Sequence, residues 1–310
     1  MDIVIVCHTE FGLVDHRKIA FAKHATHGVT QGVSVLRDLA ARHGAKITFA
    51  VCPEVVPFMP DRRGHEIGLH IHPGWEVFKN KYHEWHVGDS YLREHCAQST
   101  NSSGLARFPY REQLGMIRVG REYVKRELGE DPKVFVAGRW SFNNDTGKAL
   151  CELGFTHDCS AVPGLRRDDY DWAKLPRIMP PYHPAPHDYQ ERGSLALLCI
   201  PASMALGGVI VSPESASRAG LAWLKACFLE YYKQGVPIFH IQLHSPAMTD
   251  SYYTHALDSL LSFMGGMPNI RFRFVSEISE YPEQTFHTEL VPYLRGVNPI
   301  ILKTGIQHLM

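Results

Sequence analysis

Short apolar runs alternate along this chain with longer stretches in which apolar residues recur every three or four positions. Ile3–Cys7 is an unbroken apolar run, the pattern of a strand buried on both faces. Val29–His43 carries Val33, Leu36, Leu39 and Ala40 at helical spacing, and Gly44 follows as a stop signal. Ala45–Cys52 and His65–His72 read as the second and third strands. Leu114–Leu128 predicts an amphipathic helix with Gly129 as its C-cap, and Asp145–Leu153 a shorter helix ending at Gly154. Val134–Ala137, Phe155–Asp158, Leu195–Ile200, Pro237–Leu243 and Arg271–Val275 read as further strands. Ala216–Lys233 and Tyr252–Met264 read as long helices. Repeated strand–helix alternation predicts an α/β fold with a parallel sheet. About seven strands suit a distorted (β/α) barrel better than a small open sheet.

The third strand carries the most informative residues. His70 and His72 are two apart on it, so their side chains point the same way, with Cβ atoms roughly 6.5–7 Å apart. Two imidazoles at that spacing can converge on one metal ion. Pro73–Gly74 then ends the strand and opens a loop, the place where parallel α/β folds put their ligands. With 19 histidines in the chain, such a pair also arises by chance. His8 and His244, near the ends of two other predicted strands, add weight to the metal reading.

Composition narrows the class. The 310 residues hold 32 basic and 32 acidic side chains, with a pI near 7.3, which leaves no electrostatic footprint for nucleic acid or an anionic membrane surface. The apolar runs are too short to cross a bilayer. The N-terminus lacks a basic region and a cleavage site, so a cytoplasmic location is expected. The seven cysteines (7, 52, 96, 151, 159, 199 and 227) form no CxxC pair, which suggests reduced thiols. Dinucleotide and P-loop fingerprints are absent. Residues 76–110, with His83, Trp85, His86, Tyr91 and His95, read as a long loop over the strand ends, or equally as a surface excursion.

Several segments fall in a familiar order. They are His65–Trp75, Phe135–Ser141, Gly154–Ser160, Leu198–Ser203 and Phe239–Ser245. Together they resemble the polysaccharide deacetylase superfamily (NodB-like, carbohydrate esterase family four), and the Leu-His-Ile-His-Pro form resembles its divergent WalW-like branch. The resemblance covers residues 1–281 as one barrel domain and leaves 282–310 as a C-terminal extension. It implies a barrel of about seven strands. It also implies a divalent metal, usually zinc, held by one carboxylate and two histidines, and hydrolysis of an N-acetyl or O-acetyl group on an amino sugar or glycan precursor. On this chain the acidic motif falls on His8–Thr9–Glu10, the metal-histidine motif on His70 and His72, the arginine motif on Arg139 beside Trp140, and the last on Leu243–His244. The family's first motif carries adjacent aspartates, and its metal histidines stand four apart. Asp15 is a further carboxylate near the first motif.

The resemblance implies Glu10, His70, His72 and His8 around the metal, Glu10 as base, His244 as acid and Arg139 as a catalytic orienting group. Trp75, Trp140 and Asp158 would contact substrate. Each has a plainer alternative. Glu10 can cap a helix or pair with an arginine, and His8 can be a core histidine. Arg139 can be a buried ion pair, Trp140 core, and Asp158 a turn residue. Two rival functions follow: a catalytically degenerate barrel that binds a glycan, and a metal-dependent amidase acting on another C–N bond.

Overall fold

The computed structural model describes residues 1–22, 25–73, 76–79, 84–87 and 104–296. Trp75 lies outside them. The main sheet is built from β1 (Asp2–Thr9), β2 (Thr48–Val51), β3 (Glu66–Ile71), β4 (Val134–Ala137), β5 (His157–Asp158), β6 (Leu198–Cys199) and β7 (Ile238–His244). Its order is β6-β5-β4-β3-β2-β1-β7, and every neighbouring pair is parallel. The short β8 (Arg271–Phe272) pairs with the start of β1. The sheet is curled into a half-barrel, the α/β fold that the strand–helix alternation predicts. The open side between β6 and β7 is bridged by a hairpin, Met204–Ala205 with Val209–Ile210. Ser203 N donates to His240 O at 3.1 Å, and Gln242 N to Val211 O at 3.1 Å.

Alternation along the strands separates two cores. Ile3, Ile5 and Cys7 of β1 and Ile67, Leu69 and Ile71 of β3 face the outer helices. Val4, Val6, Ala50, Val134, Val136 and Ile238 fill the barrel interior. With a period of two, His8, His70, Gln242 and His244 continue the inward rows at the C-terminal ends of their strands.

The packed helices are α1 (His27–His43), α2 (Tyr110–Leu128), α3 (Asn144–Glu152), α4 (Leu221–Lys233) and α5 (Ser251–Gly265). Asn143 caps α3 in a reciprocal box with Thr146, and Asp250 caps α5 by accepting from Tyr252 N at 2.8 Å. The helix predicted over 216–233 is two: Ala216–Ala219 ends at Gly220, whose φ of 88° is not helical. α1 packs on the turn Ser245–Thr249 at very close range. A Cβ on Gly32 would fall 2.1 Å from Ser245 O, so only glycine permits this approach.

Within 76–110, Glu76–Lys79 and Glu84–Val87 form an antiparallel hairpin, and α2 begins at Tyr110. In the C-terminal extension Tyr293 is buried, its ring 4.6 Å from that of Trp223 and its hydroxyl donating to Glu230 at 2.7 Å. Among the described residues no helix is long and apolar enough to cross a membrane.

Candidate active site

The C-terminal ends of β1, β3, β4 and β7 surround a cavity of about 620 Å3. His8 lies near the end of β1 and Glu10 just past it, His72 just past β3, Arg139 and Trp140 in the turn after β4, and His244 at the end of β7. The hairpin Arg166–Arg167/Tyr170–Asp171 forms one wall.

His70 is buried at the base. Its Nδ1 lies 2.9 Å from the Val136 carbonyl. A carbonyl only accepts, so Nδ1 carries the hydrogen and Nε2 keeps its lone pair. That Nε2 is buried and has no hydrogen-bond partner, and the same holds for His8 Nε2 and His72 Nδ1. Burial pushes the His70 pKa down to about 3, and burial followed by the facing histidines holds His8 and His72 well below the usual value. All three rings are therefore neutral and able to donate lone pairs. The His8 ring stands 4.7 Å from that of His70 and 4.9 Å from that of His244.

Glu10 sits among them, 6% exposed. Its Oε2 is 3.5 Å from His72 Nε2, and its Oε1 is 3.7 Å from His244 Nε2. Burial raises its pKa to about 7, against a smaller downward pull from His244. One carboxylate oxygen of Glu10, one ring nitrogen of His70 and the Cys52 sulfur lie within 4.8 Å of one another. Among the described residues this is the one such group that could hold a metal. The orphaned lone pair of His70, fixed by the Val136 carbonyl, is what a metal ligand needs.

His244 is held by Glu214, whose Oε1 accepts from His244 N at 2.7 Å and lies 3.1 Å from Nδ1. Burial lowers the His244 pKa, but Glu214 and Glu10 more than offset it, and the net shift is upward. Gly138 is what lets His72 pack. A Cβ there would meet Ile71 O at 2.3 Å and the His72 ring at 2.6 Å.

Arg139 and Trp140 are consecutive left-handed residues, with φ of 56° and 52°. Such backbone is strained for side chains of this size. It is held by Arg139 Nε donating to Asp169 at 2.8 Å, Trp140 Nε1 donating to Gln242 at 2.9 Å and Trp172 Nε1 donating to Trp140 O at 3.1 Å. Arg107 also reaches Asp169, at 3.1 Å.

Glu10, His8, His72, Arg139, Trp140 and His244 thus meet at one cavity, with His70 beneath. Asp158 does not line it. That side chain is buried and bound by Ser160 and Cys199. Asp15 stands on an exposed hairpin beside His16. Cys52 and Glu214 are the additions. Cys52 precedes Pro53 as His72 precedes Pro73, so the same strand-end signal marks it. Glu214 sits in a loop 30 residues before His244 and carries no such mark.

A curled parallel sheet with donor side chains at its strand ends defines a NodB-like barrel. A protein from Mycobacterium smegmatis described as a polysaccharide deacetylase is similar over 93% of this chain and 95% of its own, with a TM-score of 0.57 at 18% identity. One from Pseudomonas aeruginosa PAO1, described in similar terms, reaches 0.55 at 16% identity over 89% and 88% of the two chains. Puue allantoinase reaches 0.56 at 15% identity over 89% and 88%. The shared feature is the fold. No protein-family model matches the chain, and no curated protein matches it.

Proposed function

We propose that the protein is a metal-dependent hydrolase that removes an N-acetyl or O-acetyl group from an amino sugar or glycan precursor of a cell-surface polysaccharide. The observation that carries this reading is a Glu10 carboxylate oxygen within 4.8 Å of a ring nitrogen of His70, whose Nε2 is left without a hydrogen-bond partner, beside a cavity edged by His244. Glu10 and His70 would hold the metal, with His72 and His8 flanking them. When bound, a divalent metal lowers the pKa of a coordinated water and polarises the acyl carbonyl. Glu10, buried and facing both His72 and His244, accepts the proton of the attacking water. His244, whose pKa Glu214 and Glu10 raise, delivers a proton to the departing nitrogen or oxygen. Trp140 offers an apolar ring to a sugar face, and Trp75 is proposed for the same task. Asp158 has no part in this scheme.

The test is acetate release from N-acetylated amino sugars and their oligomers, with and without a chelator. Expected is release that stops on chelation, returns with added divalent metal and is absent in His70→Ala. Full activity of His70→Ala sinks the assignment. The similarity to an allantoinase favours one second reading, hydrolysis of a different C–N bond by the same groups. A panel of cyclic and linear amides separates the two.

A further inference from the structure

The geometry points to Cys52 as a metal ligand: we propose that its thiolate completes a Glu10–Cys52–His70 donor set. This rests on the metal-dependent reading of the site and makes it more specific. The sulfur lies within 4.8 Å of both a Glu10 oxygen and a His70 nitrogen. Metal–ligand bonds of about 2.3 Å to sulfur and about 2.0–2.1 Å to nitrogen or oxygen bring three such atoms within reach of one ion. His70 supplies the second observation. Its Nε2 is 99% buried with the ring, has no hydrogen-bond partner, and is left as the basic nitrogen by the bond from Nδ1 to Val136 O. The position of Cys52 is fixed by backbone, since its N donates to Thr9 O at 3.0 Å between the ends of β1 and β2. It is 2% exposed and packs at the edge of the outer core, so the sulfur is held away from bulk solvent.

The donor set decides the metal. Oxygen-only sites suit magnesium and calcium, whereas a thiolate with an imidazole selects zinc or a similar borderline ion. Three protein ligands also leave a fourth position for water, as catalytic zinc sites require. Binding releases the thiol proton to solvent as the sulfur–metal bond forms.

The experiment is Co(II) substitution and zinc X-ray absorption on the whole protein. With one equivalent of Co(II), the wild type is expected to show visible d–d bands and a near-ultraviolet thiolate-to-cobalt charge-transfer band. Cys52→Ser, which keeps the other six cysteines, is expected to lose the charge-transfer band and to bind zinc about 100-fold more weakly. The zinc-loaded wild type, which needs no variant, is expected to show a sulfur shell at about 2.3 Å. One bound metal with only nitrogen and oxygen neighbours overturns Cys52 as ligand and leaves the hydrolase reading standing. No metal bound at all overturns both.

Discussion

Glu214 grips His244 at two points, accepting from its backbone N at 2.7 Å and standing 3.1 Å from Nδ1. The first contact fixes where the strand ends and the second fixes which ring nitrogen faces Glu10. Glu214→Gln keeps the shape and removes the charge. The His244 pKa then falls, because an anion that raised it is gone. A group that must be protonated to act loses activity above its pKa, so the alkaline limb of the kcat/KM profile moves to lower pH. We expect kcat to fall about 10- to 100-fold with KM little changed. An unmoved alkaline limb would remove His244 from the proton path.

Gly138→Ala would place a methyl group 2.6 Å from the His72 ring and 2.3 Å from Ile71 O. The clash with Ile71 O is with backbone, so the end of β3 must move and carry the His72 imidazole with it. Expected are a loss of about 1–3 kcal/mol in urea unfolding and at least a tenfold fall in turnover. A variant with wild-type turnover shows that the position of His72 does not matter.

Asp158 gives a pH signature of stability. Burial raises its pKa to about 7, with hydrogen bonds from Ser160 pulling the other way. The folded state binds this proton more tightly than the unfolded chain. Its stabilising share is complete below about pH 4 and lost as pH rises through 7. The span is on the order of 2–4 kcal/mol. In Asp158→Asn that slope disappears from urea midpoints measured between pH 4 and 8, and a slope equal to that of the wild type counts against the assignment.

The half-buried Arg177 pairs with the fully buried Glu230, Arg177 Nη1 standing 3.0 Å from Glu230 Oε2. Glu230 also holds the extension through Tyr293 and the N–H of Glu289. Arg177→Met strands a buried carboxylate, and a cost of about 3–5 kcal/mol is expected. Chemical denaturation of that variant and of Arg177→Met/Glu230→Gln checks this, since the double variant is expected to regain part of the loss.

Metal removal is expected to lower the melting temperature. At a free metal concentration 100 times Kd, binding adds about 2.7 kcal/mol, or roughly 5 °C for a chain of this size. Identical melting curves with and without chelator would exclude a tightly held ion.

Much of the fold and site could be read from the chain because the key groups sit on strands with a period of two. His70, His244 and the strand before His8 carry their own directions. The break at Gly220 was hidden because 216–233 keeps a helical apolar pattern across it. Cys52 carries no pairing signal in the sequence, because its sulfur comes near Glu10 and His70 only once β1, β2 and β3 align. Glu214 comes from a loop whose path no periodicity encodes. Asp158 stands in a motif segment yet turns to Ser160, a local bond that competes with any outward role.

The wall formed by residues 166–171 meets the candidate site through Asp169, which holds Arg139, and through Tyr170, whose ring stands 5.6 Å from that of Trp140. The rim and the Arg139–Trp140 turn are therefore coupled, and a change at Asp169 reaches the candidate site directly. A lineage carrying this barrel can vary the rim at 166–168 more freely than at 169–170, where the cavity's own turn is anchored.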